Sequence, residues 1–340
     1  MVTTDMSKES PGLYRREASD GWSVRSAKCV SYEVRIRDGI FRSDDADLLT
    51  GAAVGSGAVR RFVVVDSNVD LLHGGDIRSY FERCGVDCSI MVVESSETHK
   101  DVETATRIAR EIDSFGIARR QEPIIVIGGG VLMDIVGLVA SLYRRGTPFI
   151  RVPTTLIGLV DAGVGVKTGV NFNGHKNRLG TYAPADLTLL DRTLLGTLDR
   201  RHIGNGLAEI LKMGLIKDVS LFEQLERYGT LLLAEKFQGV SADGDRAAKT
   251  VLRAAIQGML EELQPNLWEA RLERCVDYGH TFSPTVEMRA LPELLHGEAV
   301  CVDMALTTVM AHRRGLLTEA ERDRVFAVMN ALELPIWHPI

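Results

Sequence analysis

No apolar run in this 340-residue chain approaches the roughly 18 residues that would suggest a membrane-spanning helix. There is no basic block either, and the formal net charge is −6, so neither nucleic acid nor an anionic membrane is an expected partner. Residues 1–21 are polar and of mixed charge, without the apolar segment of a secretory signal, so a flexible tail over 1–27 and a cytoplasmic location are expected. Cysteine is sparse and odd in number: Cys29, Cys84, Cys88, Cys275 and Cys301. Cys84 and Cys88 lie close together, but no second pair completes a zinc cage, and reduced thiols are the plainer reading. Internal repeats and low-complexity tracts are also missing. What is present is ordinary for a globular protein, with 45% hydrophobic and 25% charged residues. The length suffices for two domains and a large core.

Short buried strands alternate with helices through the first half. Residues 29–37, 61–65, 88–93, 123–127 and 148–152 read as strands, with helices over 71–83, after 100 and over 131–142. The last of these helices is apolar nearly all round and should be buried. This alternation predicts an α/β domain with a parallel sheet over 28–195. From about residue 195 only helical patterns follow, at 205–216, 219–228, 244–262, 296–313 and 318–332. An all-α domain over 196–340 is expected.

In parallel sheets, ligands gather at the carboxyl ends of the strands. Asp66, Asn68, Gly129, Gly130, Thr154 and Thr155 fall there by this reading. Gly128 to Gly130 follow a strand and open a helix, whose first N–H groups suit a phosphate or pyrophosphate. The same glycines also serve simply to pack helix on strand. In the helical half, Glu209, His280 and His296 have the donor types for zinc, but their spacing matches no short zinc motif. Capped histidines at helix starts would look the same. Lys167, Lys176 and Asn177 flank a glycine-containing loop and suit phosphate binding or plain solvation. Lys212 is one turn after Glu209 and shares its face, as a substrate contact or an intrahelical ion pair.

Together these segments resemble the dehydroquinate synthase-like superfamily of sugar phosphate cyclases. The resemblance rests on Asp66-Ser-Asn68, Glu97-x-x-Lys100, GGGVLMD at 128–134, PTT at 153–155, Asp161 through Lys167-Thr, Lys176-Asn177, Ala208-Glu209-x-x-Lys212, Gly279-His280-Thr281 and His296-Gly-Glu298. It covers the chain from about Val30. It implies an NAD-binding α/β domain joined to a helical metal-binding domain, and a homodimer. It implies Glu209, His280 and His296 as ligands of zinc or cobalt. Asp66, Asn68, Glu97, Lys100, Gly129, Gly130, Asp134, Thr154, Thr155, Lys176, Thr197 and Leu198 are implied to line the NAD site. Lys167 and Asn177 are implied at the substrate phosphate, with Arg145 reaching a neighbouring subunit. Lys212 and Asp161 would position hydroxyls or relay protons.

Dehydroquinate synthase itself holds a substrate carboxylate with a lysine and an arginine. Without gaps, its pattern places Met259 and Glu273 at those positions, Asp277 at an asparagine and Pro284 at a histidine. Each change removes a group suited to an anion, and a glutamate facing a carboxylate would cost on the order of several kcal/mol in a low-dielectric pocket. An uncarboxylated sugar phosphate is therefore expected, with Asp277 at a sugar hydroxyl and Met259 as a neutral wall. Among the relatives this points to sedoheptulose 7-phosphate. Residues 257–269 and 275–284 are similar to those of the branch that makes 2-epi-5-epi-valiolone for C7-cyclitol natural products. The implied chemistry is transient oxidation at C5, β-elimination of phosphate, re-reduction, ring opening and aldol closure. The alternatives are sibling cyclases making 2-epi-valiolone or desmethyl-4-deoxygadusol, dehydroquinate synthase itself, a metal-dependent polyol dehydrogenase, and a truncated non-catalytic paralogue. Family members continue through further C-terminal helices, so a chain ending at 340 is expected to bind NAD and metal yet turn over poorly.

Overall fold

The computed structural model describes residues 12–16, 21–26, 28–43, 46–49 and 59–339. Residues Met1–Tyr32 make one compact unit and Glu33–Ile340 another. In the first, strands β1 (Gly12–Arg16) and β2 (Gly21–Arg25) pair antiparallel, with Gly12 opposite Arg25. The tail expected over 1–27 therefore lies partly outside the described residues and partly on this hairpin. Trp22 and Val24 have the bulky, branched or aromatic side chains that favour strands, a signal that polarity obscured.

The second unit begins with the sheet. Its strands are β3 (Glu33–Ile36), β4 (Arg60–Asp66), β5 (Asp87–Val93), β6 (Ile124–Gly128), β7 (Phe149–Pro153) and, after a separate hairpin of β8 (Lys167–Phe172) and β9 (His175–Tyr182), β10 (Leu187–Leu190). The sheet order is β3-β10-β7-β6-β4-β5, and all neighbours are parallel. Phe62 and Val64 of β4 pack toward α2 (Val102–Phe115) and α3 (Gly130–Leu142). Val63 and Val65 pack on the other face, toward α1 (Ser67–Arg83). Both faces are covered, which explains why the strands are continuous apolar runs. From β4 the chain runs out to β5, then crosses back to β6, so its direction reverses between β4 and β6. The crevice at that reversal opens at the carboxyl ends of these strands.

The helical half comprises α4 (Arg200–Ile216), α5 (Val219–Glu235), α6 (Ala242–Leu263), α7 (Ser283–Arg289), α8 (His296–Arg313) and α9 (Glu319–Ala331). Their starts are well defined locally. Asp199, Asp218, Ser241 and Thr318 each cap a helix by accepting a backbone N–H. Among the described residues no strand follows Leu190, so the change of class brackets position 195. The halves nonetheless share packing. Leu156, Leu159, Val160 and Val164 from the α/β half belong to the same core as Leu207, Leu211 and Met304. Residues 33–340 consequently form one compact unit rather than two.

Candidate active site

Helix α4 is buried along almost its whole length and carries Glu209 into the interior. Asn205, one turn earlier on the same face, accepts the backbone N–H of Gly297 at 2.6 Å through its side chain. A Cβ on Gly297 would stand 2.0 Å from the Asn205 carbonyl oxygen, so only glycine lets α8 start against α4. Arg201 of α4 and Glu298 of α8 add an ion pair at 2.6 Å. These contacts bring His296, the first residue of α8, to Glu209, with Nε2 3.6 Å from Oε1. His280 comes from the turn after a short helical segment at 275–277. Gly279 there has φ +75, and a Cβ would meet Val300 and Met304 of α8 at 2.9 Å. The two imidazole rings stand 5.4 Å apart.

Each ring is oriented by its other nitrogen. His280 Nδ1 donates to the Tyr278 carbonyl at 3.1 Å, and His296 Nδ1 donates to Glu287 Oε2 at 2.8 Å. Glu287, on α7, was not singled out by sequence reasoning. Burial pushes its carboxyl up, but His296 and Lys176 outweigh burial and hold the pKa down at about 2. One donor atom each from Glu209, His280 and His296 lie within 4.8 Å of one another. Both Glu209 oxygens are buried without a hydrogen-bond partner. Lys212 Nζ sits 2.5 Å from Oε2, an ion pair out of hydrogen-bond alignment. Burial opposes the charge of Glu209, yet Lys212 and the two histidines keep its pKa down at about 2. An ionised, buried carboxylate with Oε1 free of any hydrogen bond, beside two oriented imidazoles, fits a divalent metal with an open position.

The cofactor candidates lie along the carboxyl edge of the sheet. Asp66 faces Val93 across β4–β5, and Gly128 faces Pro153 across β6–β7. Asp66 caps α1 by accepting Asn68 N and Val69 N, and Ser95 donates to its other oxygen. Helix α3 starts at Gly130 with Gly129 as its cap and no side-chain cap, so its N–H groups remain for a ligand at the reversal crevice. That fits the pyrophosphate of NAD. Thr154 and Thr155 follow β7 beside it. Lys100 is buried and donates to Asp134 and to Asn177 Oδ1, both at 2.6 Å. Burial opposes its charge, but Asp134 and Glu97 outweigh burial and raise its pKa. Glu97 accepts from Asn171, a residue without a motif of its own. Thr197 pairs with His73 of α1 at 2.9 Å, and Leu198 follows it.

Lys176 and Asn177 lie on β9 and flank the glycine-containing turn at Asn173 and Gly174, where the hairpin of residues 167–182 reverses. Adjacent strand residues face opposite ways. Asn177 therefore meets Lys100, whereas Lys176 pairs with Glu287 at 2.5 Å beside His296. Lys176, expected at the cofactor, stands against the metal trio. Lys167 lies at the open end of the hairpin opposite Tyr182, while Asn177 N is bonded to Asn171, about 13 Å further along β8. The expected joint phosphate contact of Lys167 and Asn177 is thus not assembled. Lys167 instead pairs with Glu269 at 2.6 Å. The π-helical turn Gly158–Ala162 carries Asp161. Arg151 on β7 is buried and donates to the carbonyls of Gly165 at 2.6 Å and Ala162 at 3.3 Å, which ties down the segment from Asp161 to Lys167. Lys212 is buried, but Glu209, Asp161 and Asp277 outweigh burial and raise its pKa. Arg145 is exposed just beyond the end of α3 opposite to Gly130. Met259 packs within the helical core, and Glu273 is exposed.

The chain is similar to known proteins over both halves. Residues 90–205 match the family described as 3-dehydroquinate synthase N-terminal, and residues 206–340 match 3-dehydroquinate synthase C-terminal. The chain is 76% identical over 340 residues to a 2-epi-5-epi-valiolone synthase of Streptomyces albus, covering 100% of this chain and 83% of that protein. The solved 2-epi-5-epi-valiolone synthase of Streptomyces hygroscopicus subsp. jinggangensis 5008, with NAD+ and Zn2+ bound, superposes with a TM-score of 0.88 at 53% identity, covering 94% of this chain and 85% of that one. A 2-deoxy-scyllo-inosose synthase complexed with carbaglucose-6-phosphate, NAD+ and Co2+ shares the fold, with a TM-score of 0.75 at 21% identity over 91% of this chain and 81% of that one. The chain belongs to the dehydroquinate synthase-like family of sugar phosphate cyclases.

Proposed function

We infer that this chain converts sedoheptulose 7-phosphate to 2-epi-5-epi-valiolone with release of phosphate, as a phosphorus–oxygen lyase serving C7-cyclitol biosynthesis. The observation that carries this reading is the Glu209, His280 and His296 trio beside Lys212, in a chain whose relatives bear that synthase name. Glu209, His280 and His296 would hold zinc or cobalt. Asp66, Asn68, Glu97, Lys100, Gly129, Gly130, Asp134, Thr154 and Thr155 would line the NAD site. When bound, NAD supplies a reversible hydride acceptor, and the divalent metal supplies Lewis-acid polarisation.

The chain's own residues do the rest. Lys212 is held as an ammonium, so it donates to a substrate hydroxyl rather than accepting its proton. Asp161, fixed by the π-helical turn, is the nearby carboxylate able to take a proton. Lys167, with a side chain 59% exposed, is the cation available to the phosphate. Arg145, remote from Gly130 along α3, would serve the phosphate end of a neighbouring subunit in a cytoplasmic homodimer. Incubation of metal-loaded protein and NAD+ with sedoheptulose 7-phosphate tests the reading. Stoichiometric phosphate release without net NADH, with the cyclitol identified by NMR, is expected. Net NADH without phosphate would sink it.

A further inference from the structure

The segment after α6, residues 264–277, reaches the open end of the β8–β9 hairpin through Glu269. Its carboxylate takes Lys167 Nζ at 2.6 Å on one oxygen and accepts the Tyr182 hydroxyl at 3.0 Å on the other. Arg274 pairs with the same carboxylate. The neighbouring Trp268 ring meets Tyr182 edge-on at 6.3 Å. Glu269 adopts φ +50, a left-handed conformation uncommon for a side-chain-bearing residue. Its three partners hold it there.

Arg274 also forks onto Asp277, with Nε 3.1 Å from Oδ2 and Nη2 on Oδ1. Asp277 in turn precedes the metal candidate His280 by one turn, and its carbonyl accepts that residue's N–H at 2.9 Å. Lys167, Arg274, Glu269 and Asp277 are thus two cations and two carboxylates whose formal charges cancel. Arg274 and Glu269 are nearly dry, with side chains 15% and 12% exposed. The ungapped sequence reading put the repelling carboxylate at Glu273, which the structure leaves exposed. An inward cation exists one residue later, and two carboxylates already occupy it.

We propose that Glu269 is a specificity-determining residue: it takes Nη1 of Arg274 while Asp277 takes Nε and Nη2, so a carboxylated sugar phosphate meets a cation whose charge is already cancelled, while Lys167 stays available to a phosphate. The asymmetry follows from donor geometry. A substrate carboxylate would have to displace the two-point Asp277 from Nε and Nη2, or take Nη1 from Glu269, and in either case would meet the remaining carboxylate at the same guanidinium. Lys167 has three donors and gives only one to Glu269, so a phosphate can join it without breaking the pair. This rests on the cyclase reading above and names the group that excludes the carboxylated class.

The test compares affinities on NAD- and zinc-loaded protein by calorimetry. The probes are the phosphonate analogues of sedoheptulose 7-phosphate and of a carboxylated 3-deoxy-heptulosonic acid 7-phosphate, neither of which can release phosphate. Glu269→Gln keeps the shape and an acceptor for Tyr182 but frees one side of Arg274. The ratio of carboxylated to uncarboxylated Kd should fall at least tenfold, and adding Arg274→Met should restore it. Asp277→Asn should lower the same ratio from the other side, which decides the matter independently. An unchanged ratio in both single variants overturns the proposal, as does a gain that survives Arg274→Met. A Glu269→Gln protein that no longer binds NAD overturns it too, since the residue would then serve the fold. Failure of the wild type to release phosphate from the sugar would count against the cyclase reading, whereas an unchanged ratio counts against Glu269 alone.

Discussion

His296 is held between two carboxylates: Nδ1 donates to Glu287 at 2.8 Å while Nε2 faces Glu209 at 3.6 Å. Glu287 fixes the ring and its tautomer and so aims the other nitrogen at the metal position. Loss of such an outer partner typically costs about 10–100-fold in metal affinity. Glu287→Gln should therefore weaken zinc binding by about that factor, with NAD affinity unchanged. Chelator competition and the visible spectrum of the cobalt-loaded variant provide the readout. Unaltered metal affinity would show that Glu287 merely pairs with Lys176.

Gly297 is the contact point between the metal helix and α4. Alanine there would meet the Asn205 carbonyl oxygen at 2.0 Å, backbone against side chain, with nothing flexible to move. Overpacking of this kind costs about 1–3 kcal/mol. Because the displaced residue adjoins His296, Gly297→Ala should also lower metal affinity at least roughly tenfold if the ligands must stay within coordination reach. Thermal melts with and without zinc separate the two effects. A variant that loses stability but keeps metal affinity would contradict the coupling.

Lys100 joins the cofactor edge to β9 through Asp134 and Asn177. Lys100→Met leaves Asp134 without its cation, and breaking a buried pair this way costs about 3 kcal/mol. The native ammonium has a raised pKa. Its contribution is complete below the unfolded value near 10.5 and is lost only as the pH climbs through the higher native value. The penalty should therefore be constant between about pH 6 and 9, and NAD binding should weaken with it. Urea denaturation at both ends of that range checks the sign.

The thiols should react in an order set by burial. Burial pushes Cys88 and Cys301 up to about 12, so almost no thiolate forms at pH 8. Cys275 is exposed but also raised, by its partial burial and by the Glu262 carboxylate that accepts its S–H at 3.0 Å. Native protein titrated with a chromogenic disulfide at pH 8 should label Cys29 first and Cys275 slowly, with Cys88 and Cys301 only after denaturation. Rapid labelling of Cys301 in the native state would mean that the helical core opens readily.

Much of the fold was legible because its signals are local. Continuous apolar strands such as 61–65 and 123–127 predict burial on both faces, and β4 and β6 are buried in that way. The apolar character of residues 131–142 likewise predicts the buried α3. The β8–β9 hairpin was not legible. Its second strand, His175–Tyr182, is mostly exposed and rich in polar residues, so it has no hydrophobic period to read. That hairpin decides that Lys176 faces the metal trio while Asn177 faces Lys100.

The sequence by itself determined the classes of chemistry. Donor types in the Glu209, His280 and His296 set, a glycine-opened helix after a buried strand, and the absence of basic or long apolar runs are all properties of residues and short neighbourhoods. Only the tertiary structure decided which groups meet. Glu287 comes to His296, Arg151 to the carbonyls below Lys167, and Glu269 rather than Glu273 to Arg274. Partners such as Arg151 and Gly165, or Lys167 and Glu269, are brought together by sheet register, helix crossing and loop closure. Those are set by the packing of whole elements against one another, and no local residue pattern encodes them.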